Sequence, residues 1–220
     1  MYILQFGQVL KYNYMLLSGL WVTLELSILT MFFSLILGII IAISRISKNK
    51  LLSAFASGYI EFFRNVPLLI IIYIVFYVDI GINFTPFVAG VIALTLNSAA
   101  FEAEIIRGGL KAIAKEQIDS AQSLGLSKFQ MYRFIIIPYV MRIVWTALGN
   151  QAVDIVLGSS VVSVITCMEL TYFGMNIAVN KARAIEIFII LLIIYLSLSL
   201  SVSLILRIIK RIFLKPSELE

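Results

Sequence analysis

The sequence contains no histidine and only one cysteine, Cys167, among its 220 residues. Without histidine, the chain lacks the commonest metal ligand and the side chain that most often carries protons near neutral pH. A single cysteine excludes an internal disulfide. Neither a GxxxxGK phosphate-binding loop nor a GxSxG nucleophile motif occurs, and these motifs are typical of enzymes that hydrolyse nucleotides or transfer acyl groups. We therefore predict no catalytic, metal-binding or cofactor-binding residue in this chain.

Charged residues are scarce and apolar residues abundant, at 13% and 61% of the chain, and the mean hydropathy is +1.04. A water-soluble fold needs more polar residues than this to cover its surface. A membrane-spanning helix needs about 20 mainly apolar residues, and no linker or internal repeat divides the chain. The sequence therefore predicts an all-α membrane protein with a single domain, residues 1–220. Its five predicted transmembrane helices cover about residues 19–43, 55–79, 86–106, 139–165 and 184–206.

Basic residues, 17 against 12 acidic ones, concentrate in particular connections between the spans. Arg45, Lys48 and Lys50 follow the first span, and the third connection and the C-terminal segment are also basic. The positive-inside rule assigns these segments to the cytoplasm, so the N-terminus is expected outside and the C-terminus in the cytoplasm. Lys181 and Arg183 fall on the outer side of this topology but are too few to reverse it. Because the basic residues lie beside the predicted spans, mainly on one side of the membrane, we predict that they contact membrane lipid and that the chain does not bind nucleic acid.

The connection between the third and fourth spans, residues 107–138, is too polar for the lipid interior and has the pattern of two short helices. Good helix formers run up to Leu124, and Gly125 can adopt the left-handed conformation that ends a helix. Ser127 and Gln130 have the spacing of a capping box, which predicts a second helix beginning directly after Ser127.

Two further features of this loop bear on its shape. Leu126 before the cap and Met131 after it have the spacing of a hydrophobic staple, which fixes the angle between two helices. Pro138 lacks an amide proton and restricts Ile137, so a bend is expected where the chain re-enters the membrane. The sequence thus predicts a rigid elbow on the cytoplasmic side.

The same loop carries a family resemblance. Asp119-Ser120-Ala121, three residues, Gly125, nine residues and Ile135-Ile136-Ile137-Pro138 resemble the E-A-A-x3-G-x9-I-x-L-P loop of ABC importer permeases. Three positions differ from the family pattern, and each of them has a residue of similar type. Other segments are similar to permeases for polar amino acids and extend the resemblance over about residues 19–205. These segments are Gly19 to Leu24, Glu61 to Leu68, Ala103 to Gly109 and Ala147 to Gln151.

The resemblance implies the MetI-like fold of a type I importer permease, whose five transmembrane helices work by alternating access. It implies as partners two ATPase subunits, which would hold ATP and magnesium, a second permease subunit that is a copy or a paralogue, and an extracytoplasmic solute-binding protein. The chain would be a transport subunit of the bacterial cytoplasmic (inner) membrane and not an enzyme. Its coupling helix and loop would contact the ATPase through Asp119, Ser120, Ala121, Leu124, Gly125, Leu126, Ser127, Ile135, Ile137 and Pro138.

Ionisable residues inside the predicted spans are costly there and need a partner, water or a function. Glu61 and Arg64 are three residues apart, as are Glu104 and Arg107, so each pair can neutralise itself on one helical face. Glu104 and Arg107, near the cytoplasmic end of their span, are predicted to form a structural pair. Glu61, Arg64 and the neighbouring Asn65 are candidates for the solute pathway, with internal pairing as the alternative.

A second set of polar residues lies on the fourth span. Asn150, Gln151 and Asp154 are predicted to share one side of the helix, and Ser159 and Ser160 add hydroxyls toward its outer end. An amino acid presents an ammonium and a carboxylate group, which acids and amides in a water-filled cavity can bind. The alternative is hydrogen bonding between helices, which is common for such residues in membranes.

One departure from the resembled family concerns the solute. Many relatives read Leu-Lys-Asp-Thr-Ser where this chain has Val156 to Ser160, with Leu157 and Gly158 in place of the two charges. Their usual substrate contacts therefore cannot be transferred, which fits either a different solute or one half of a heterodimer. Ser159-Ser160-Val161 and Glu169-Leu170-Thr171 are similar to carriers of glutamate and aspartate, and this favours acidic amino acids.

The sequence therefore favours a permease subunit of an ATP-driven importer for polar amino acids. One alternative is an ion-driven secondary carrier or channel that uses Glu61, Arg64 and Asp154, but it leaves the cytoplasmic loop unexplained. Another is a structural assembly subunit. For the loop alone, an interfacial helix lying on anionic lipid is the alternative, with basic residues to hold it there.

Overall fold

The computed structural model describes residues 4–78 and 83–213, and within these ranges the chain forms helices and no strand. The predicted end of the second span at residue 79 and both extremities of the predicted domain lie outside the described residues. The helices are α1 (Phe6–Leu10), α2 (Asn13–Arg45), α3 (Lys50–Asn65), α4 (Leu68–Tyr77), α5 (Pro86–Lys111), α6 (Lys115–Ser123), α7 (Lys128–Met131), a π-helical turn (Tyr132–Ile136), α8 (Ile137–Gly158), a 3-10 turn (Ser159–Ile165), α9 (Leu170–Lys181) and α10 (Ala184–Phe213).

Four helical runs in the described ranges are long and apolar enough to cross a membrane by themselves: α2, α5, the continuous run Lys128–Ile165, and α10. The predicted all-α membrane fold is thereby confirmed. A fifth span exists if α3 and α4 count as one, but their axes are bent by 106°. The second predicted span is therefore two helices that meet at a sharp angle.

Pro67 lies at the break between α3 and α4. Its nitrogen carries no hydrogen, so the carbonyl of Phe63, four residues earlier, loses its helical donor. The side-chain amide of Asn97 on α5 donates a hydrogen bond to this carbonyl oxygen at 2.8 Å. Val66 is extended, with φ −94° and ψ 130°. A neighbouring helix thus satisfies the carbonyl group that the break exposes, as a membrane interior requires.

Helices α2 and α5 pack closely because small residues meet between them. A β-carbon added at Gly38 of α2 would lie 3.0 Å from the Glu102 β-carbon and 3.2 Å from the Ala99 carbonyl oxygen on α5. Ala99 and Ala103 are fully buried in this contact region. Small residues allow membrane helices to approach and gain van der Waals contact, so α2 is held tightly against the centre of α5.

A buried carboxylate anchors the segment between α8 and α10. Glu169 caps the N-terminus of α9 and accepts hydrogen bonds from the backbone amides of Thr171 at 2.9 Å and Tyr172 at 2.7 Å. The Tyr195 hydroxyl of α10 donates to the same carboxylate at 2.9 Å. Burial raises the pKa of the Glu169 carboxyl, and these amide donors oppose the rise. Helix α9 is therefore tied to α10.

Candidate functional site

The loop between α5 and α8 begins with α6, which ends in a left-handed turn at Gly125, with φ +72°. The amide of Leu126 donates to the Ala121 carbonyl at 3.3 Å, and the amide of Gly125 donates to the Gln122 carbonyl at 2.9 Å. These two bonds form a Schellman motif. The predicted helix stop at Gly125 is confirmed, although α6 begins at Lys115 after a separate end of α5 at Lys111.

The second helix of the loop, α7, begins as predicted after Ser127. The amide of Gln130 donates to the Ser127 hydroxyl oxygen at 3.3 Å, and the amide of Ser127 donates to the Gln130 side-chain oxygen at 2.9 Å. The capping box is therefore confirmed. Leu126 packs against the apolar cluster that contains Met131, in agreement with the predicted staple. Both helix ends at the elbow are fixed by their own local hydrogen bonds.

The elbow has an inner and an outer face. Ala121 is 1% exposed and Met131 8% exposed, and both pack in a cluster with Val140 of α8. Leu124 is 79% exposed and Phe129 72% exposed on the outer face. Adjacent exposed apolar side chains of this size are typical of surfaces that contact another protein or a membrane. The sequence motif contained Leu124, whereas Phe129 was missed, and only its place just after the capping serine could have drawn attention to it.

The other coupling residues divide between the two faces. Asp119, Ser120, Gly125 and Ser127 are exposed, whereas Leu126 is half-buried. The elbow therefore presents a mixed polar and apolar outer surface above an apolar base.

The chain re-enters the membrane around Pro138 as a continuous helix whose winding changes, and the bend expected there stays a prediction. A π-helical turn, Tyr132–Ile136, leads into α8, and the helical run continues unbroken from Lys128 to Ile165. The amide of Ile137 donates to the Tyr132 carbonyl, five residues earlier. The wider π turn accommodates the residue without an amide proton, so the helix changes its winding instead of stopping. Ile135 and Pro138 are half-buried, and Ile137 is 55% exposed.

The polar residues predicted to share one side of α8 are divided by the structure. Asn150 and Asp154 are exposed, and Leu157 is exposed one turn beyond them. Gln151 is buried, with 9% of its surface exposed. Residues four apart on a helix lie about 40° apart around the axis, whereas adjacent residues lie about 100° apart. Gln151 therefore does not belong to the exposed face, which we call the Asn150–Leu157 face.

The hydroxyl groups at the end of α8 bond to their own helix. Ser159 is fully buried, and its hydroxyl donates to the Val156 carbonyl at 2.7 Å. The Ser160 hydroxyl donates to the Leu157 carbonyl at 2.6 Å. Such back-bonding is usual for serine in membrane helices; it uses the hydroxyl hydrogens, and the burial of Ser159 keeps its oxygen away from a solute, whereas the role of Ser160 in the solute pathway stays a prediction.

Ion pairing differs between the two predicted pairs. Arg107 donates two hydrogen bonds to Glu104, at 2.8 and 2.6 Å. Arg64 lies 3.9 Å from the same carboxylate and 5.4 Å from the centre of the Phe101 ring. The alternative of an internal pair between Arg64 and Glu61 is not formed, because α3 lies against α5 and brings Arg64 to Glu104.

The other two solute-pathway candidates of the second predicted span lie near the C-terminal end of α3. Glu61 and Asn65 are exposed, and the Asn65 side chain donates to the Glu61 backbone carbonyl at 2.7 Å. Over residues 4–78 and 83–213, no cluster of three or more His, Cys, Asp or Glu side chains is arranged to hold a metal ion.

Long apolar helices joined by an elbow that exposes Leu124 and Phe129 define a membrane protein with an accessible surface on one of its connections. Residues 34–214 match the family described as the binding-protein-dependent transport system inner membrane component, and the chain belongs to this family. The predicted family resemblance is therefore confirmed. As a member, the chain is a transport component of the inner membrane and not itself an enzyme.

Individual proteins are similar to this chain over most of its length. A probable glutamine ABC transporter permease protein of Bacillus subtilis is 36% identical over 160 residues, which cover 72% of this chain and 74% of that protein. A crystal structure of an amino acid ABC transporter with histidines matches with a TM-score of 0.87 and 35% identity, covering 96% of this chain and 99% of the other.

The MetNI methionine ABC transporter, in inward-facing conformations, matches with a TM-score of 0.72 and 20% identity, covering 90% of this chain and 97% of the other. At that identity the match speaks for the fold alone. The expected MetI-like permease fold is confirmed.

Proposed function

We propose that the chain is the permease subunit of an ATP-binding-cassette importer for polar amino acids, coupled to a partner ATPase through residues 107–138. The observation that carries this proposal is the elbow of a family member, with Leu124 and Phe129 exposed above a buried base. A rigid apolar surface can bind a partner protein and transmit its movement to the adjacent helices.

The packing of the elbow supports a route for this pull. Ala121 and Met131 belong to one buried cluster with Val140 and Val144 of α8, and a β-carbon at Gly109 of α5 would meet Val144. A displacement of the elbow is therefore passed to both α5 and α8. Because packed helices shift as units, such a displacement can change which side of the membrane the solute cavity faces.

The proposed assembly contains two ATPase subunits that hold ATP and magnesium, a second permease subunit, and an extracytoplasmic solute-binding protein. The second permease is a copy or a paralogue of this chain. The basic connections support an orientation with the N-terminus outside and the C-terminus in the cytoplasm.

The proposed solute pathway includes the Asn150–Leu157 face of α8, because Asn150 and Asp154 expose polar groups on a span that crosses the membrane. Exposed polar groups at that depth are costly unless they face water, a solute or another subunit. The similar permease of Bacillus subtilis is named for glutamine and the similar structure for amino acids in general. These names support a polar amino acid and give no support to the narrower preference for glutamate or aspartate.

Phe129→Ala tests the coupling proposal. Removing a buried aromatic anchor from an interface weakens binding by about tenfold or more, so we expect Phe129→Ala to lose most co-purifying ATPase and most ATP-dependent amino-acid uptake. Phe32→Ala is the matched control, because Phe32 is 61% exposed on the membrane-spanning part of α2. Its uptake should equal that of the unaltered chain.

Other results would contradict the proposal. If Phe129→Ala retains full ATP-dependent uptake and the full amount of co-purifying ATPase, the elbow does not couple this chain to the ATPase. Uptake in vesicles driven by an ion gradient, without ATP, would favour a secondary carrier. A complex that transports normally after this chain is removed would make the chain an assembly subunit.

A further inference from the structure

A cavity of about 670 Å³ lies between α2, α5, α8 and α10. On α2 its wall runs from Met31 to Ile46, fifteen residue steps, and at about 1.5 Å per step this is about 22 Å. One half of the hydrocarbon core of a bilayer is about 15 Å deep. The cavity is therefore long enough to extend through one leaflet, and its lining there consists almost entirely of apolar side chains.

Four wall segments carry a base next in sequence to a lining residue at the end of the cavity nearest the elbow, which we call the basic mouth, although none of these four bases itself lines this cavity. Arg45 is half-buried, and the other three bases are exposed. Basic residues between membrane helices on the cytoplasmic side attract anionic lipid headgroups. These neighbours are Arg45 beside Ile46, Lys111 beside Leu110, Arg133 beside Tyr132, and Arg207 beside Leu206.

A smaller cavity of about 290 Å³ shares Trp145, Gly149 and Leu206 with the apolar one. Its polar wall includes Arg207 and Lys210 of α10. The Lys210 ammonium donates to the Thr146 hydroxyl at 3.0 Å. The seam between α8 and α10 therefore adds positive charge and hydrogen-bond donors beside the apolar cavity, as a phosphate group requires.

The one acid in the lining lies far from this basic end. Glu102 is 4% exposed, and one of its carboxyl oxygens accepts a hydrogen bond from Ser34 at 3.1 Å. It precedes Lys111 by nine residues on α5, which is about 13 Å along the helix. The acid therefore does not repel an anion bound at the basic mouth.

We propose that this apolar cavity holds one acyl chain of an anionic phospholipid from the cytoplasmic leaflet, with the phosphate held by Arg207 and Lys210 of the adjoining polar cavity. The lining matches a hydrocarbon chain, the length reaches through the leaflet, and the charge at the open end is complementary to the headgroup. This inference goes beyond the proposed transport function and does not depend on which solute is carried.

Photo-crosslinking tests the proposal on the full chain, purified with the subunits that accompany it and placed in lipid nanodiscs. The probes are phosphatidylglycerol and phosphatidylcholine, each with a diazirine on one acyl chain. We expect phosphatidylglycerol to label lining positions on α2, α5 and α8 more strongly than phosphatidylcholine does. Equal labelling by the two lipids, or label spread over all lipid-exposed helix faces, would overturn the proposal.

Variants separate the headgroup from the chain. Arg207→Gln with Lys210→Gln should lower the preference for phosphatidylglycerol by about fivefold for each base removed, because both bases line the adjoining polar cavity. Lys48→Gln with Lys50→Gln is the control, because it removes the same charge from the same side at positions that line neither cavity. An equal loss in the control would show that the anionic lipid is attracted only by general charge, which contradicts a site.

Ala152→Leu fills the cavity at a lining position and should abolish cavity labelling by both lipids. If Ala152→Leu prevents folding, the smaller substitution Ala152→Val can be used instead. Ala152→Val should reduce cavity labelling by a smaller amount. If both variants fold and the same positions are still labelled fully, no acyl chain occupies this cavity. Crosslinks from these positions to a second protein chain, in place of lipid, would also contradict the proposal.

Discussion

Individual polar side chains supply hydrogen bonds at places where the backbone of this protein cannot. Asn97 is the clearest case, because its amide satisfies the Phe63 carbonyl that Pro67 leaves without a donor. Tyr59 donates its hydroxyl hydrogen to the Leu96 carbonyl within α5 at 2.7 Å, which adds a second bond between these two helices. Both bonds connect α3 to α5, so they stabilise the angle at the break as well as the local backbone.

Asn97→Ala should destabilise the protein by about 1–3 kcal/mol, because it leaves a carbonyl without a partner in the membrane interior. Thermal unfolding in detergent would show a lower midpoint, by about 2–4 °C for each kcal/mol. Asn180→Ala is the matched control, because Asn180 is exposed and bonds to Asn176 of its own helix. A midpoint unchanged by Asn97→Ala would show that this bond does not hold the break.

Pairings between residues distant in the chain were the part of the site that the sequence could not predict. Spacing alone offered Arg64 a partner only within its own helix, whereas the packing of α3 on α5 brings it to Glu104. Glu104 and Arg107 lie on one helix, and their pair follows from spacing alone. Gln151 is buried because of the helices that happen to cover its side of α8, and no local pattern contains that information.

At the scale of elements, the elbow between α6 and α7 depends on one backbone conformation. Gly125 has φ +72°, and a β-carbon there would meet nothing within 4 Å. The strain of a substitution therefore comes from the backbone and not from crowding. Gly108, near the end of α5, has equally open surroundings but does not have a positive φ.

Gly125→Ala should therefore loosen the elbow, at a cost of about 1–2 kcal/mol for a left-handed residue that is not glycine. Gly108→Ala, its control, should be neutral or stabilise α5 by up to about 1 kcal/mol. Hydrogen exchange of the Leu126 amide, which bonds to Ala121, measures the difference. We expect about five- to thirtyfold faster exchange in Gly125→Ala, and equal exchange in both variants would contradict this account.

The sequence predicted this element well because its signals are local. The glycine stop and the capping box each depend on residues within a few positions of each other. The 106° bend between α3 and α4 was not predicted, because Pro67 indicates a possible break but not its angle. That angle depends on how α4 packs against α5 and the 3-10 turn.

At the scale of the whole molecule, the topology that we propose places the elbow and the end of α9 on opposite sides of the membrane. Exposed positions on each side can be labelled through introduced cysteines, such as Lys48→Cys and Asn180→Cys. The native Cys167 does not interfere, because it is buried and burial raises the pKa of its thiol to about 12, with the nearby Glu169 carboxylate adding to the rise. Thiolate is the reactive form, so Cys167 stays unlabelled near neutral pH.

A membrane-impermeant maleimide applied to intact cells should label Asn180→Cys and leave Lys48→Cys unlabelled. Both should be labelled once the membrane is permeabilised, because both positions are exposed. The unaltered chain is the control and should stay unlabelled throughout. Labelling of Lys48→Cys in intact cells would reverse the proposed orientation.

The exposed Leu124 and Phe129 also have a consequence for how much of this protein a cell can hold. In the proposed assembly, a copy made in excess of the partner ATPase would expose two large apolar side chains to the cytosol, where chaperones and proteases recognise such surfaces. We expect surplus copies to be degraded, so that the abundance of the subunit follows the supply of the protein that covers its elbow.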